Sequence, residues 1–385
     1  MSFCQFFRPI LSAPKTPRLA LRFASTMTSQ SSILNTALNS MPHGRSPLMM
    51  PEPVYLGIDV GGTNVKMGLV DGEGRILAQT STPTPPLGTP QRVLKFAIEY
   101  AERQLVGELA GESGEEWALG GVGLAVPGVL DTEAMMLREV VNLPGWVNQP
   151  LLELLGDACG APATVVNDAN AAAYAEHCRR GLGKRSLALV TLGTGIGCGV
   201  VVGGHPHGGD HGCAGELGHI AIRFGEDALP CTCGSRGHLE SYAGAAGVIA
   251  RLRRALETVP VESSSPKLRH DSVTPLDVAE AAAGGDAICQ SVIDETAAFV
   301  GQAIGLLGQT IDPDVVLLGG AMTFGGENSM TGHRFLEHVR VAVRETTLVQ
   351  VGERLTVDFA TLGNDAGILG SAMLAQQVGG NHPVP

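Results

Sequence analysis

Gly57-Ile58-Asp59-Val60-Gly61-Gly62-Thr63-Asn64 puts an acid at the end of a β-rich run, Val54 to Val60, beside two glycines and a hydroxyl. Backbone N–H groups exposed by such a turn make an anion nest, and an aspartate next to it can hold Mg2+ through water. The chain resumes an extended pattern from Thr63 to Val70, turns at Asp71-Gly72-Glu73-Gly74 and continues from Arg75 to Thr80, an antiparallel three-stranded meander. About 130 residues on, the same device recurs: Leu187 to Leu192, a turn through Gly193-Thr194-Gly195, and a return through Ile196 to Val202. Either turn by itself is a plain β-turn, but two facing turns can cradle one polyphosphate. Their repetition implies two related α/β halves.

Between and after these units the pattern alternates. Pro83 to Pro90 breaks the first meander, and Gln91 to Glu108 follows with helical spacing of Val93, Phe96, Ala97, Tyr100 and Leu105. Gly121 to Val126 and Ala163 to Val166 read as strands, Gln149 to Ala158 as a helix, and an alanine-rich helix starts near Asp168. A long helix is expected from Asp286 to Thr310, a buried strand from Val315 to Leu318, and a closing helix from Ala366 to Gln377; Glu262 to Asp271 is a polar surface loop. The strand before Leu318-Gly319-Gly320-Ala321 ends where a nucleoside can lie against bare backbone. None of the three glycine turns is a Walker A loop, because no Gly-Lys-Ser/Thr follows. No linker separates independent domains, so the two lobes share a cleft.

Composition narrows the function. The 385 residues are 44% hydrophobic, enough for a substantial core, and only 4% aromatic, which argues against base-stacking platforms. The net charge is −12, yet residues 1–51 carry five basic residues (Arg8, Lys15, Arg18, Arg22 and Arg45) and no acid, leaving −17 for the rest. Such a body repels phosphate backbones, so nucleic acid is not an expected partner, and an anionic substrate must be held by local amides or Mg2+. Eight scattered cysteines form no disulfide framework and fit a reducing, cytoplasmic compartment. No apolar run is long enough for a bilayer, so no membrane association is expected. Residues 1–53 read as a disordered or targeting-like extension, with Met27, Met41 or Met49 as alternative starts.

Two motifs carry the chemistry. Asn167-Asp168 ends a strand and opens a helix, where an aspartate serves as an N-cap or as a general base accepting a proton from a substrate hydroxyl during phosphoryl transfer. Glu216-Leu217-Gly218-His219 and Cys231-Thr232-Cys233-Gly234-Ser235-Arg236-Gly237-His238-Leu239-Glu240 together offer His219, Cys231, Cys233 and His238, a closed thiolate and imidazole set suited to structural Zn2+. Glu216 and Glu240 flank that loop, and sugar hydroxyls are natural partners for such carboxylates.

Taken in order, Asp-x-Gly-Gly-Thr, Asn-x-Pro-x-Trp, Asn-Asp-Ala-Asn-Ala-Ala, Gly-Thr-Gly-x-Gly, Gly-Glu-x-Gly-His and Cys-x-Cys-Gly-x-x-Gly resemble the ROK family of bacterial sugar kinases and sugar-responsive repressors, from Val54 to Gln377. The resemblance implies an α/β, actin-like and ribonuclease-H-like fold of two lobes closing over sugar and ATP: a small lobe of residues 54–168 plus 363–378, and a large lobe of 169–362. It implies ATP-dependent phosphorylation of a hexose, glucose first, at the 6-hydroxyl, with Asp168 as base and in contact with the sugar. Asn142, Asn167, Glu216, His219 and Glu240 would hold sugar hydroxyls. The nucleotide and its Mg2+ would lie against Asp59, Gly61, Gly62, Thr63, Asn64, Gly193, Thr194, Gly195, Gly319 and Gly320. A homodimer or homotetramer is the implied assembly. The alternatives are another hexose (fructose or N-acetylmannosamine), polyphosphate as donor, or a sugar-responsive regulator. The family pattern has a third cysteine where this chain has His238; histidine can ligate zinc, and without it a water or Cys213 would complete the set.

Overall fold

The computed structural model describes residues 51–380 apart from 108, 110–116, 141–142 and 261–264. β1 (Glu52–Val60), β2 (Asn64–Val70) and β3 (Ile76–Pro83) form the expected antiparallel meander. β4 (Trp117–Val126) runs parallel to β1; β5 (Val129–Asp131) and β6 (Met136–Glu139) make a separate ribbon; β7 (Ala163–Asn167) runs parallel to β4. The first sheet therefore has the order β3-β2-β1-β4-β7. The second is built from β8 (Leu187–Leu192), β9 (Ile196–Val202), the two-residue β10 (His205–Pro206), β11 (Val315–Gly319) and β12 (Thr356–Phe359), in the order β10-β9-β8-β11-β12. Numbered from its own first strand, each sheet reads 3-2-1-4-5, with the first three strands antiparallel and the last two parallel. The repeated glycine turn in the sequence is thus the visible trace of a repeated topology.

Parallel strands covered on both faces read as unbroken apolar runs, and Val122 to Val126 in β4 is buried throughout. Its outer face meets the Pro90–Val106 and Leu151–Cys159 helices in a core with Leu94, Trp146 and Leu155. The second sheet is backed by a larger core in which the Ala287–Ile311 and Met330–Thr346 helices supply Val300, Ile304, Phe335 and Val339. Each such side chain, fully withdrawn from water, contributes about 1.5–3 kcal/mol. Asp286 caps the long helix by accepting the Cys289 N–H at 2.9 Å, so the helix proper starts one residue later than expected.

Two helices lie between the sheets, and they cross over. The Asp168–Arg179 helix follows the last strand of the first sheet but packs on β8 and β9; the Ala366–Gly379 helix follows the last strand of the second sheet but packs on β1 and β4. The two helices also pack on each other. Contact is backbone to backbone: a Cβ on Gly199 of β9 would stand 1.9 Å from the Ala169 carbonyl oxygen, and one on Gly123 of β4 would stand 1.9 Å from that of Ser371. Glycine at both positions lets each helix reach the opposite sheet.

The polar stretch Glu262 to Asp271 is not all loop. Pro266–Arg269 forms one tight helical turn that buries Leu268, because a single apolar residue can join the core beside it. No helix among the described residues is long and apolar enough to cross a membrane.

Candidate active site

Register brings the ends of β1, β4 and β7 together, with Asp59 opposite Ala125 and Val126 opposite Asn167. Ligands of open parallel sheets bind outside such carboxyl ends. Asp59 is largely enclosed, and burial raises its carboxyl above the ordinary range against the pull of Lys66, its partner across β1 and β2. The closing helix lies directly on it, for a Cβ on Gly367 would come within 2.5 Å of Asp59 Cγ.

The strand end resolves the two roles open to Asn167 and Asp168. Asn167 is the cap: its Oδ1 accepts the Asn170 N–H at 3.1 Å, and its Nδ2 donates to the Gly128 carbonyl at 3.1 Å. Each end of that amide makes one bond to the protein. Asp168 is the first helical residue and is partly open to solvent. Burial pushes its carboxyl up to about 7; the Ala169 N–H, donating at 2.8 Å, works against this, and the negative charges of Asp59 and then Glu216 add to it. Three carboxylates, from β1, from the start of the Asp168–Arg179 helix and from the loop before Leu217, therefore share one field. Glu216 itself is exposed, on the loop just before the short Leu217–His219 turn.

The second glycine turn is tied to the cysteine loop. Glu240, at the start of the Leu239–Ala243 helix, accepts the Ile196 N–H at 2.9 Å, and the Gly193 carbonyl accepts the Ala245 N–H at 3.1 Å. The first turn is braced by Thr84, whose hydroxyl donates to the Gly61 carbonyl at 2.7 Å and whose N–H donates to that of Thr63 at 2.8 Å. Gly62, Thr63, Asn64 and Thr194 are left exposed.

His219, Cys231, Cys233 and His238 each present one donor atom, and these atoms lie within 4.8 Å of one another. Cys231 Sγ is 3.7 Å from His219 Nδ1 and Cys233 Sγ 3.2 Å from His238 Nδ1. Two thiols and two imidazoles converging on one point fit a four-coordinate zinc, and the Ser235 N–H holds the Cys233 thiol below its ordinary range, favouring the thiolate a metal needs. His238 is thus spatially part of the set, and Cys213 is not.

A cavity of about 630 Å³ opens beside β11 and β12, lined by Thr191, Gly319, Gly320, Glu327, Thr361 and Asn364 among others. That size suits a nucleoside-sized ligand. Gly319 and Gly320 line it; neither the Gly61 to Asn64 turn nor the Gly193 to Gly195 turn does. Asn142 lies outside the described residues. Glu176, which also lines the cavity, was not singled out in the sequence, although a second acid in an alanine-rich helix, eight residues after Asp168, was there to be read.

The ROK family pattern matches residues 55–378. The chain is 34% identical to the glucokinase of Halalkalibacterium halodurans, over 85% of this chain and 96% of that one. Its structure matches the ROK hexokinase of Thermus thermophilus with a TM-score of 0.66 at 31% identity, covering 84% and 98% of the two chains. It matches a ROK family glucokinase from Streptomyces griseus, solved in complex with glucose and AMPPNP, with a TM-score of 0.64 at 29% identity, covering 84% and 99%. The fold is the expected two-lobed, actin-like and ribonuclease-H-like one. By sequence pattern, extent of match and structure, the chain belongs to the ROK family.

Proposed function

We propose that this chain is an ATP-dependent hexose kinase, a glucokinase, in which Asp168 is the general base. What supports the reading is the placement of Asp168, the first residue of the helix that follows β7, partly enclosed and within the field of Asp59 and Glu216, with its carboxyl raised to about 7. A base tuned near neutrality is substantially ionised at working pH, yet strong enough to accept a hydroxyl proton. As the sugar 6-oxygen attacks the γ-phosphorus, the bond to the β,γ-bridging oxygen breaks and the hydroxyl proton passes to Asp168.

In this reading Asn142, Glu216, His219 and Glu240 orient the sugar. Asn167 acts mainly through the cap that aims Asp168. Asp59 would help hold Mg2+, the turns at Gly61 to Asn64 and Gly193 to Gly195 would face the phosphates, and the cavity at Gly319 and Gly320 would take the nucleoside. Zn2+ at His219, Cys231, Cys233 and His238 would stiffen the loop carrying His219 and Glu240. Residues 54–168 with 363–378 form one lobe and 169–362 the other, their closure excluding water. The seven described cysteines are all free, which agrees with a cytoplasmic protein, and a homodimer or homotetramer is the proposed assembly.

A coupled assay with ATP across glucose, fructose and N-acetylmannosamine, repeated with polyphosphate as donor, tests the reading. The highest kcat/KM is expected for glucose with ATP. Absence of turnover with every hexose, together with sugar-dependent binding to its own promoter DNA, would establish the regulator instead.

A further inference from the structure

Glu176 is fully buried on the Asp168–Arg179 helix, two turns beyond Asp168, or about 12 Å along the axis. Its carboxylate has no role in the chemistry above. It holds a segment 185 residues away: Oε1 accepts the Thr361 N–H at 2.5 Å and the Leu362 N–H at 2.7 Å, and Oε2 accepts the Thr361 hydroxyl at 3.1 Å. Thr361, Gly363 and Asn364 of that segment line the cavity beside β11 and β12.

The segment is pinned on either side of this contact. Arg180, whose Nε lies 3.7 Å from Glu176 Oε2, donates through Nη2 to the Phe359 carbonyl at 2.9 Å. Lys66, which faces Asp59 across β1 and β2, donates through Nζ to the Asn364 carbonyl at 3.3 Å. Burying a carboxylate is costly unless its oxygens are satisfied, and here two backbone amides and a hydroxyl satisfy it. The same bonds anchor the backbone at Thr361 and Leu362.

Resting on the kinase reading, we propose that Glu176 is the positioning residue of the donor-nucleotide cleft: by fixing the Thr361–Leu362 amides it shapes the wall against which the nucleoside lies. The same helix carries Asp168 at its other end, so a single helix joins the proposed base to the donor wall. The Glu176 carboxylate is engaged by the Thr361 and Leu362 donors, so its effect on nucleotide binding runs through that segment.

Calorimetric titration of the full chain with Mg-AMPPNP and, separately, with glucose is the test. Glu176→Ala removes every acceptor and is expected to weaken AMPPNP binding about tenfold or more, the scale of one or two lost hydrogen bonds, with glucose affinity unchanged. Glu176→Gln keeps an oxygen for both amides and should stay within about threefold of the parent, a rescue that charge loss alone does not give. Equal AMPPNP affinity in parent and Glu176→Ala overturns the proposal, as does parallel loss of glucose and AMPPNP binding that Gln does not restore. Should Glu176→Ala not fold, Glu176→Asp withdraws the acceptor by one methylene: selective loss of AMPPNP affinity supports the proposal and unchanged affinity overturns it. A parent chain that binds no AMPPNP removes the kinase reading and the proposal together, whereas a parent that binds it beside an equally good variant removes only the role of Glu176.

Discussion

The Ile196 N–H donates to Glu240 Oε2 at 2.9 Å, so the glycine turn that opens the second sheet is held by a side chain from the cysteine loop. The contact admits no side chain in between: a Cβ on Gly195 would stand 2.4 Å from the same oxygen. Gly195→Ala should displace the Glu240 carboxylate and strand the Ile196 amide, costing about 1–3 kcal/mol of stability. Denaturant unfolding and steady-state kinetics check it; a variant with parental stability and kcat/KM would show that the contact is incidental.

The cysteine loop is expected to need its metal. Cys233→Ser and His238→Ala should each lower zinc content on dialysis and raise the KM for glucose, with metal affinity falling on the order of 10–100-fold or more. His238→Cys, which restores the family's own residue, should retain zinc. Elemental analysis beside glucose kinetics decides this, and full zinc retention in His238→Ala would remove that imidazole from the ligand set.

Asp168→Asn keeps the shape of the helix start, since the cap is Asn167, and removes the base. kcat should fall by about 10²–10⁴ while glucose binding persists. Equilibrium titration with glucose beside the coupled assay separates the two, and an active Asp168→Asn enzyme would end the assignment of the base.

The pH dependence carries a sign. With the Asp168 carboxyl at about 7, kcat/KM should drop roughly tenfold per pH unit on the acid side of that value and level off above it. Stability moves the other way. The folded-state value lies above the unfolded one, near 3.9, so the native chain binds more protons between these limits and loses stability as pH rises through that window. Relief of this burden, on the order of 4 kcal/mol or less, should make Asp168→Asn more stable than the parent at pH 8 but not at pH 3. Unfolding curves at the two pH values test it; an advantage present equally at pH 3 would assign the gain to something other than ionisation.

Local features of this chain were legible from local sequence. The runs from Leu187 to Leu192 and Ile196 to Val202 are strands with those limits, because β-rich runs and the glycines between them act on near neighbours. His219, Cys231, Cys233 and His238 lie close together in the chain, and the bridge between Ala221 and His238 draws the two ends of that stretch together. The repeated turn likewise announced two related halves.

What only the tertiary structure decided concerns partners remote in sequence. The strand order of each sheet, and the crossing of each half's last helix onto the other sheet, depend on which faces meet. The bond from Asn167 to the Gly128 carbonyl, and the charges of Asp59 and Glu216 that help raise the Asp168 carboxyl, involve residues that no window around residue 168 contains. Glu176 makes the same point most plainly. In sequence it is an acid among alanines; in the fold it meets the amides of Thr361 and Leu362, because a carboxylate's role is set by the donors that burial leaves beside it.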